Sequence, residues 1–129
     1  MRPVISFILP VFNEEETLVE TYPRVARVMD GLQGESEMVL VDDGSRDSSL
    51  EILRDLRQRD PRVRYLSFAR NFGHQIAVTA GLHFARGNAV VVLDADLQDP
   101  PELIPKMIEK WHEGYQVVYA KRTAREARG

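Results

Sequence analysis

With 129 residues, 43% of them hydrophobic and 29% charged, the chain is long enough for one domain with a sizeable core. A net charge of −3, from 17 Lys and Arg against 20 Asp and Glu, argues against a general nucleic-acid binder, which carries a basic excess. Zero Cys excludes disulfide scaffolds, thiolate zinc sites and cysteine nucleophiles. The longest apolar run, Ala89 to Leu93, is far too short to span a membrane, and the strand-like N-terminus does not read as a signal peptide.

Short apolar runs alternate with amphipathic, helix-length segments. The first run, Val4–Leu9, reads as a buried strand. A helix is expected from Glu15 to Leu32, because Leu18, Tyr22, Val25 and Met29 form one apolar stripe and Glu14, Glu15 and Glu16 suit its positive end. Met38–Val41 reads as the second strand. The next helix runs from Ser48 to Arg59, with Asp47 or Ser48 as N-cap and Asp60-Pro61 as its stop. Val63–Phe68 is the third strand, and a helix near Gly73–Ala85 carries Ile76, Ala77, Ala80 and Phe84. Ala89–Leu93 is the fourth strand.

A fourth helix opens at Pro100-Pro101, with Leu103, Ile104, Met107, Ile108 and Trp111 as its stripe and Gly114 as its end. Val117–Ala120 is the fifth strand. Such alternation predicts an α/β, Rossmann-like fold: a mainly parallel sheet with helices on both faces. Ligands bind such open sheets at the carboxyl ends of the strands. Those ends therefore carry the functional argument.

The first strand runs into Pro10-Val11-Phe12-Asn13-Glu14 and the second into Asp42-Asp43-Gly44-Ser45. The third ends in Ala69-Arg70-Asn71-Phe72-Gly73, the fourth in Asp94-Ala95-Asp96-Leu97-Gln98-Asp99, and the fifth in Lys121-Arg122. Acids grouped with cations on one rim suit a metal ion and phosphates together. Asp94 and Asp96 sit at i, i+2, which in extended backbone points both carboxylates the same way. With the Gln98 amide oxygen they offer hard ligands for Mg²⁺ or Mn²⁺ rather than Zn²⁺. Asp99, before Pro100, reads instead as a helix cap.

Asp42-Asp43-Gly44-Ser45 stays ambiguous on spacing alone. It is either a strand-to-helix turn with caps or an acceptor pair for the N–H and O–H donors of a base and ribose. Arg70, Lys121, Arg122 and Arg125 could neutralise phosphates, although such residues are mostly solvated; Arg122 stands out because it follows a strand on the same rim. His83 and His112 read as helix-surface residues, and His74 as a surface residue or as polar lining of the site. Neither familiar Gly-rich phosphate-loop spacing is present.

Pro10-Val11-Phe12-Asn13-Glu14, Asp42-Asp43-Gly44-Ser45 and Asp94-Ala95-Asp96-Leu97-Gln98-Asp99-Pro100-Pro101-Glu102 resemble family 2 glycosyltransferases of the GT-A fold. Within these, the likeness is to polyprenyl-phosphate glycosyltransferases, and Arg70-Asn71-Phe72-Gly73-His74-Gln75 with Thr79-Ala80-Gly81-Leu82 looks most like the bacterial branch. The resemblance implies that Pro10, Phe12 and Glu14 line a nucleotide pocket, with Phe12 where the family often has Tyr. Val41, Asp42 and Asp43 would hold base and ribose, and Arg70 would lie at the nucleotide-sugar site. Asp94, Ala95 and Asp96 would form the DxD-type motif, with Asp94, Asp96 and Gln98 as ligands of Mg²⁺ or Mn²⁺. Arg122 would contact the diphosphate or the acceptor phosphate.

The implied reaction is inverting, metal-dependent transfer of a sugar from a nucleotide diphosphate, a UDP-sugar by preference, to a polyprenyl phosphate at the cytoplasmic face of a membrane. Family members extend well beyond this length. Residues 1–129 are therefore expected to be a single GT-A nucleotide-sugar-binding domain, the soluble donor half of a membrane-associated enzyme, with the basic stretch Lys121–Arg128 leading toward the membrane. The alternative is a nucleotide-sugar-binding module without complete catalysis, and apolar surface uncovered by a missing half could drive homo-oligomerisation. Haloacid-dehalogenase phosphatases and receiver domains also use Asp pairs, but after the first strand, which does not fit here.

Overall fold

The computed structural model describes residues 5–32, 34–96, 101–106 and 109. Four strands, β1 (Ile5–Val11), β2 (Ser36–Asp42), β3 (Val63–Ser67) and β4 (Ala89–Val92), form one parallel sheet in the order β3-β2-β1-β4. Between them lie α1 (Glu15–Asp30), α2 (Ser49–Arg59) and α3 (His74–Phe84). A short 3₁₀ turn, Pro101–Leu103, precedes helical residues 104–106 and 109. The expected helix start at Pro100, the rest of its stripe (Met107, Ile108, Trp111), Gly114 and the fifth strand lie outside the described residues.

Strand period two assigns the two faces. Phe7, Leu9, Val11, Met38 and Leu40 join Leu18, Val25 and Met29 of α1 and Leu53 and Leu56 of α2 in one core cluster. The alternate residues Ile8, Val39 and Val41 pack against Ala77 of α3 on the other face. Helices therefore cover both faces, as the alternation predicts. Gly81 makes the approach of α3 possible, since a Cβ there would lie 2.5 Å from Cγ2 of Ile8.

The first strand runs two residues further than its apolar pattern suggests, through Pro10 to Val11. Proline usually avoids a central strand because it cannot donate to the ladder. Here the carbonyl of Ile8 accepts from Leu93 N at 2.9 Å on the β4 side, and the carbonyl of Val11 accepts from Asp43 N at 2.8 Å on the β2 side. Alternation turns the nitrogen of Pro10 toward β4, whose pairing with β1 reaches only Ile8. The missing N–H costs no sheet bond.

Two polar clusters brace the opposite end of the sheet. Glu37, 4% exposed, accepts from the Ser6 hydroxyl at 2.6 Å, Arg64 Nη1 at 2.8 Å and Arg86 N at 2.7 Å. Asp60 accepts from the Tyr22 hydroxyl at 2.6 Å and from Arg62, whose Nη1 also reaches Asp30 at 2.8 Å. Buried acids are tolerable only when paired and hydrogen-bonded in this way.

Candidate functional site

The chain passes from β1 through α1, β2, α2, β3 and α3, then returns to place β4 on the far side of β1. The strand order reverses between β1 and β4, and the carboxyl ends there diverge to leave a crevice. A cleft of about 580 Å³ occupies that position. The end of β1 contributes Pro10, Val11, Phe12 and Glu14. The loops after β2 and β3 contribute Asp43, Asn71, Gly73 and His74, and the end of β4 contributes Asp94, Ala95 and Asp96.

Each wall has a local cause. Leu93 and Ala95 pack into the larger core cluster, and the chain leaves β4 through a turn at residues 95–96 rather than the extended backbone expected there; Asp94 and Asp96 both line the cleft. The Thr21 hydroxyl of α1 donates to the carbonyl of Ala95 and ties this segment down. Asn13, in the left-handed region at φ 53, turns the chain out of β1. Its N–H donates to Ser45 Oγ at 2.9 Å, and its Oδ1 accepts from Arg46 N at 2.8 Å. Glu14 N donates to Ser49 Oγ at 2.9 Å, which fixes the residue that faces the cleft.

Asp47 serves two helices. It accepts from Ser49 N at 2.9 Å and from Glu15 N at 3.2 Å, while Glu15 accepts from Ser48 N at 3.2 Å. Ser48 occupies the N-cap position of α2 with no side-chain capping bond, so Asp47 supplies the cap. Burial pushes the Asp47 carboxyl up, but hydrogen bonds from Ser49 and Glu15 outweigh it and leave the carboxyl below its ordinary range.

Asp43 is the anchor of the next loop. The residue is 3% exposed, and its carboxylate accepts from Phe72 N at 2.7 Å, Gly73 N at 3.0 Å and Asn71 Nδ2 at 3.0 Å. Gly73, at φ 107, then starts α3 with His74 over the cleft. His74 Nε2 lies 3.4 Å from Asp94 Oδ1.

The sequence-predicted residues divide by position. Pro10, Phe12, Glu14, Asp43, Asp94, Ala95 and Asp96 come together around the cleft. Val41 is fully buried under α3, against the Gly81 position. Asp42, also buried, accepts from Ser45 N at 3.2 Å and Ser67 Oγ at 3.4 Å. Arg70 stacks its guanidinium 4.1 Å above the ring of Phe72. Gln98, Arg122, Asp99, Lys121, Arg125 and His112 lie outside the described residues. Asn13, Ser45 and Asn71 are marked in the sequence only as members of strand-end motifs and Ser49 not at all; the signal for Asn71 is its place between a strand end and Gly73.

Two carboxylates without Cys are the donor set that Mg²⁺ or Mn²⁺ accepts when a substrate diphosphate supplies further oxygens. Among the described residues no group of three or more His, Cys, Asp and Glu forms a complete cage. Asp94 and Asp96 fit a cation shared with a ligand.

The profile of the family described as Glycosyl transferase family 2 matches residues 6–129. The chain is 60% identical over 121 residues to "Uncharacterized glycosyltransferase YkcC" of Bacillus subtilis (strain 168), covering 94% of this chain and 38% of that protein. It is 46% identical over 125 residues to the bactoprenol glucosyl transferase of Shigella phage SfV, covering 97% and 41%. The chain thus spans about two fifths of the length of these relatives.

Among solved structures, S. aureus TarS 1–349 in complex with UDP-GlcNAc superposes with a TM-score of 0.65 at 26% identity, over 81% of this chain and 32% of that one. A mannosyltransferase from Pyrobaculum calidifontis in complex with GDP-Man and Mn²⁺ gives 0.66 at 25% identity, over 78% and 34%.

Proposed function

Because the chain belongs to glycosyl transferase family 2, we propose that residues 1–129 form the donor-binding part of an inverting, metal-dependent transferase that moves a sugar from a nucleotide diphosphate to a polyprenyl phosphate. The observation that carries this reading is the convergence of Asp94 and Asp96 with Phe12 and Glu14 in one cleft at the switch point. Solved relatives of the same fold hold UDP-GlcNAc, or GDP-Man with Mn²⁺. A relative's name supplies the acceptor class, bactoprenol. UDP-glucose is the first donor to test, since that relative is a glucosyl transferase. Membrane contact belongs to the same proposal; among the described residues no helix is long and apolar enough to cross a membrane.

In this reading Phe12, 43% exposed, offers an apolar face to the nucleotide, and Glu14 offers an acceptor for hydroxyl or N–H donors. Asp43 keeps the far wall rigid by holding three donors of the 71–73 loop, and lone pairs left over can take a donor from base or ribose. Asp94 and Asp96 would hold Mg²⁺ or Mn²⁺, which when bound supplies charge neutralisation at the departing diphosphate. Gln98 and Arg122 complete the proposed set. A phosphate acceptor is already anionic and needs little general-base assistance.

Calorimetric titration with UDP, GDP, UDP-glucose and GDP-mannose, with and without Mn²⁺ or Mg²⁺, tests the proposal. Metal-dependent binding of one nucleotide, lost in Asp96→Asn, is expected. A folded protein that binds none of them overturns the donor-site reading. Binding without transfer to polyprenyl phosphate favours the binding-module alternative.

A further inference from the structure

His74 has no role in the reading above, yet it reaches the carboxylate pair from a separate element. It opens α3, while Asp94 follows β4, and the two meet across the cleft with Nε2 3.4 Å from Oδ1. The approach is built rather than incidental. Asp43 clamps the N–H groups of Phe72 and Gly73, the two residues before His74, and so fixes where α3 begins. Gly73 adopts φ 107 with open space around its Cβ position, so its backbone conformation, not crowding, aims the next side chain. The imidazole is 63% exposed and the Asp94 side chain 36% exposed. The Thr21 hydroxyl already ties the Asp94 segment to α1 through the Ala95 carbonyl, and the imidazole adds a contact to the Asp94 carboxylate from a second element, α3.

We propose that His74 is a positioning residue for the carboxylate pair: its imidazole holds Asp94 facing the cleft and thereby sets the affinity for the divalent cation. Ligating carboxylates depend on such outer partners, whose loss costs about 10–100-fold in metal affinity. The inference rests on the reading of the cleft as a cation–diphosphate site. It predicts a role for this chain's His74 that acts through Asp94 and not through the nucleotide base.

The test measures UDP binding by calorimetry at one fixed pH, with Mn²⁺ and again with chelator, for the wild type, His74→Ala, His74→Gln and His83→Ala. His83 lies on the same helix against Phe84 and does not line the cleft. The expected result for His74→Ala is a loss of about tenfold in Mn²⁺-dependent UDP affinity, with the metal-free affinity unchanged. His74→Gln, which keeps an N–H donor, should recover most of the loss, and His83→Ala should match the wild type. Equal losses with and without Mn²⁺ would overturn the positioning role, as would a His74→Ala protein indistinguishable from wild type. A wild type that binds UDP without any response to Mn²⁺ would instead remove the cation–diphosphate reading and this inference with it. Melting curves should coincide for all four proteins, because both histidine side chains are exposed.

Discussion

Gly44 lies directly beneath Arg70: a Cβ built on Gly44 would stand 2.3 Å from the carbonyl carbon of Arg70 and 2.5 Å from the nitrogen of Asn71. The loop after β2 and the loop after β3 touch backbone to backbone, next in sequence to Asp43 and Asn71, which line the cleft. Gly44 also sits at φ 75, where an L side chain is strained. Gly44→Ala should cost roughly 2–5 kcal/mol from strain and overpacking together. Gly73→Ala shares only the strain, because nothing lies within 4 Å of its Cβ position, and should cost roughly 1–3 kcal/mol. Urea denaturation of both variants checks the ranking; equal losses would show that the backbone contact at Gly44 is not tight in solution.

Asp43 provides a second prediction. In Asp43→Asn the amide must turn an N–H toward either Phe72 N or Gly73 N, leaving a part-buried donor without an acceptor. A loss of roughly 1–3 kcal/mol is expected in denaturation. Donor binding should weaken as well, since the 71–74 wall loses its anchor. Unchanged stability would mean that the carboxylate is not the clamp.

Acid stability should report Asp60. Burial pushes its carboxyl up, but hydrogen bonds from Arg62 and Tyr22 outweigh this and bring it from 3.8 to about 2. A folded-state value below the unfolded one stabilises the protein fully above about pH 4 and is lost as pH falls toward 2. The difference amounts to about 2 kcal/mol for this side chain, which is 9% exposed. Glu37 acts in the same direction: burial raises its carboxyl, while Ser6, Arg86 and Arg64 together draw it below the ordinary range. Denaturation at several pH values should show a shallower acid slope for Asp60→Asn than for the wild type, and an identical slope would contradict the assignment.

Glu37 separates stability from binding. It lies in the first half of β2, at the end of the sheet opposite the cleft, with Ser6, Arg64 and the N–H of Arg86 around it. Glu37→Gln must present its NH₂ to one of these donors and should cost roughly 1–3 kcal/mol. Nucleotide affinity, measured well below the melting point, should not change. A selective loss of affinity would mean that the two ends of the sheet are coupled.

Much of this protein could be read directly from residue order. The positions of the four described strands and three helices follow from short apolar runs and helical apolar stripes, and Leu18, Val25 and Met29 are buried as their spacing requires. The boundary of β1 was less legible, because a proline looks like a strand end. It continues there only because the β4 neighbour has already stopped pairing. Asp47 was recognisable as a cap for α2, but its second bond, to Glu15 N, joins residues 32 positions apart.

The sequence by itself determined the alternation of strands and helices and placed its acids at strand ends, because local periodicity and turn chemistry act over a few residues. The tertiary structure decided what those acids do to one another. Asp43 is held by donors 28 to 30 positions away, and His74 is brought to Asp94 only because the chain returns across β1 to form β4. Such contacts depend on strand order and loop closure. No local pattern encodes them, since residues distant along the chain meet only after the sheet has assembled.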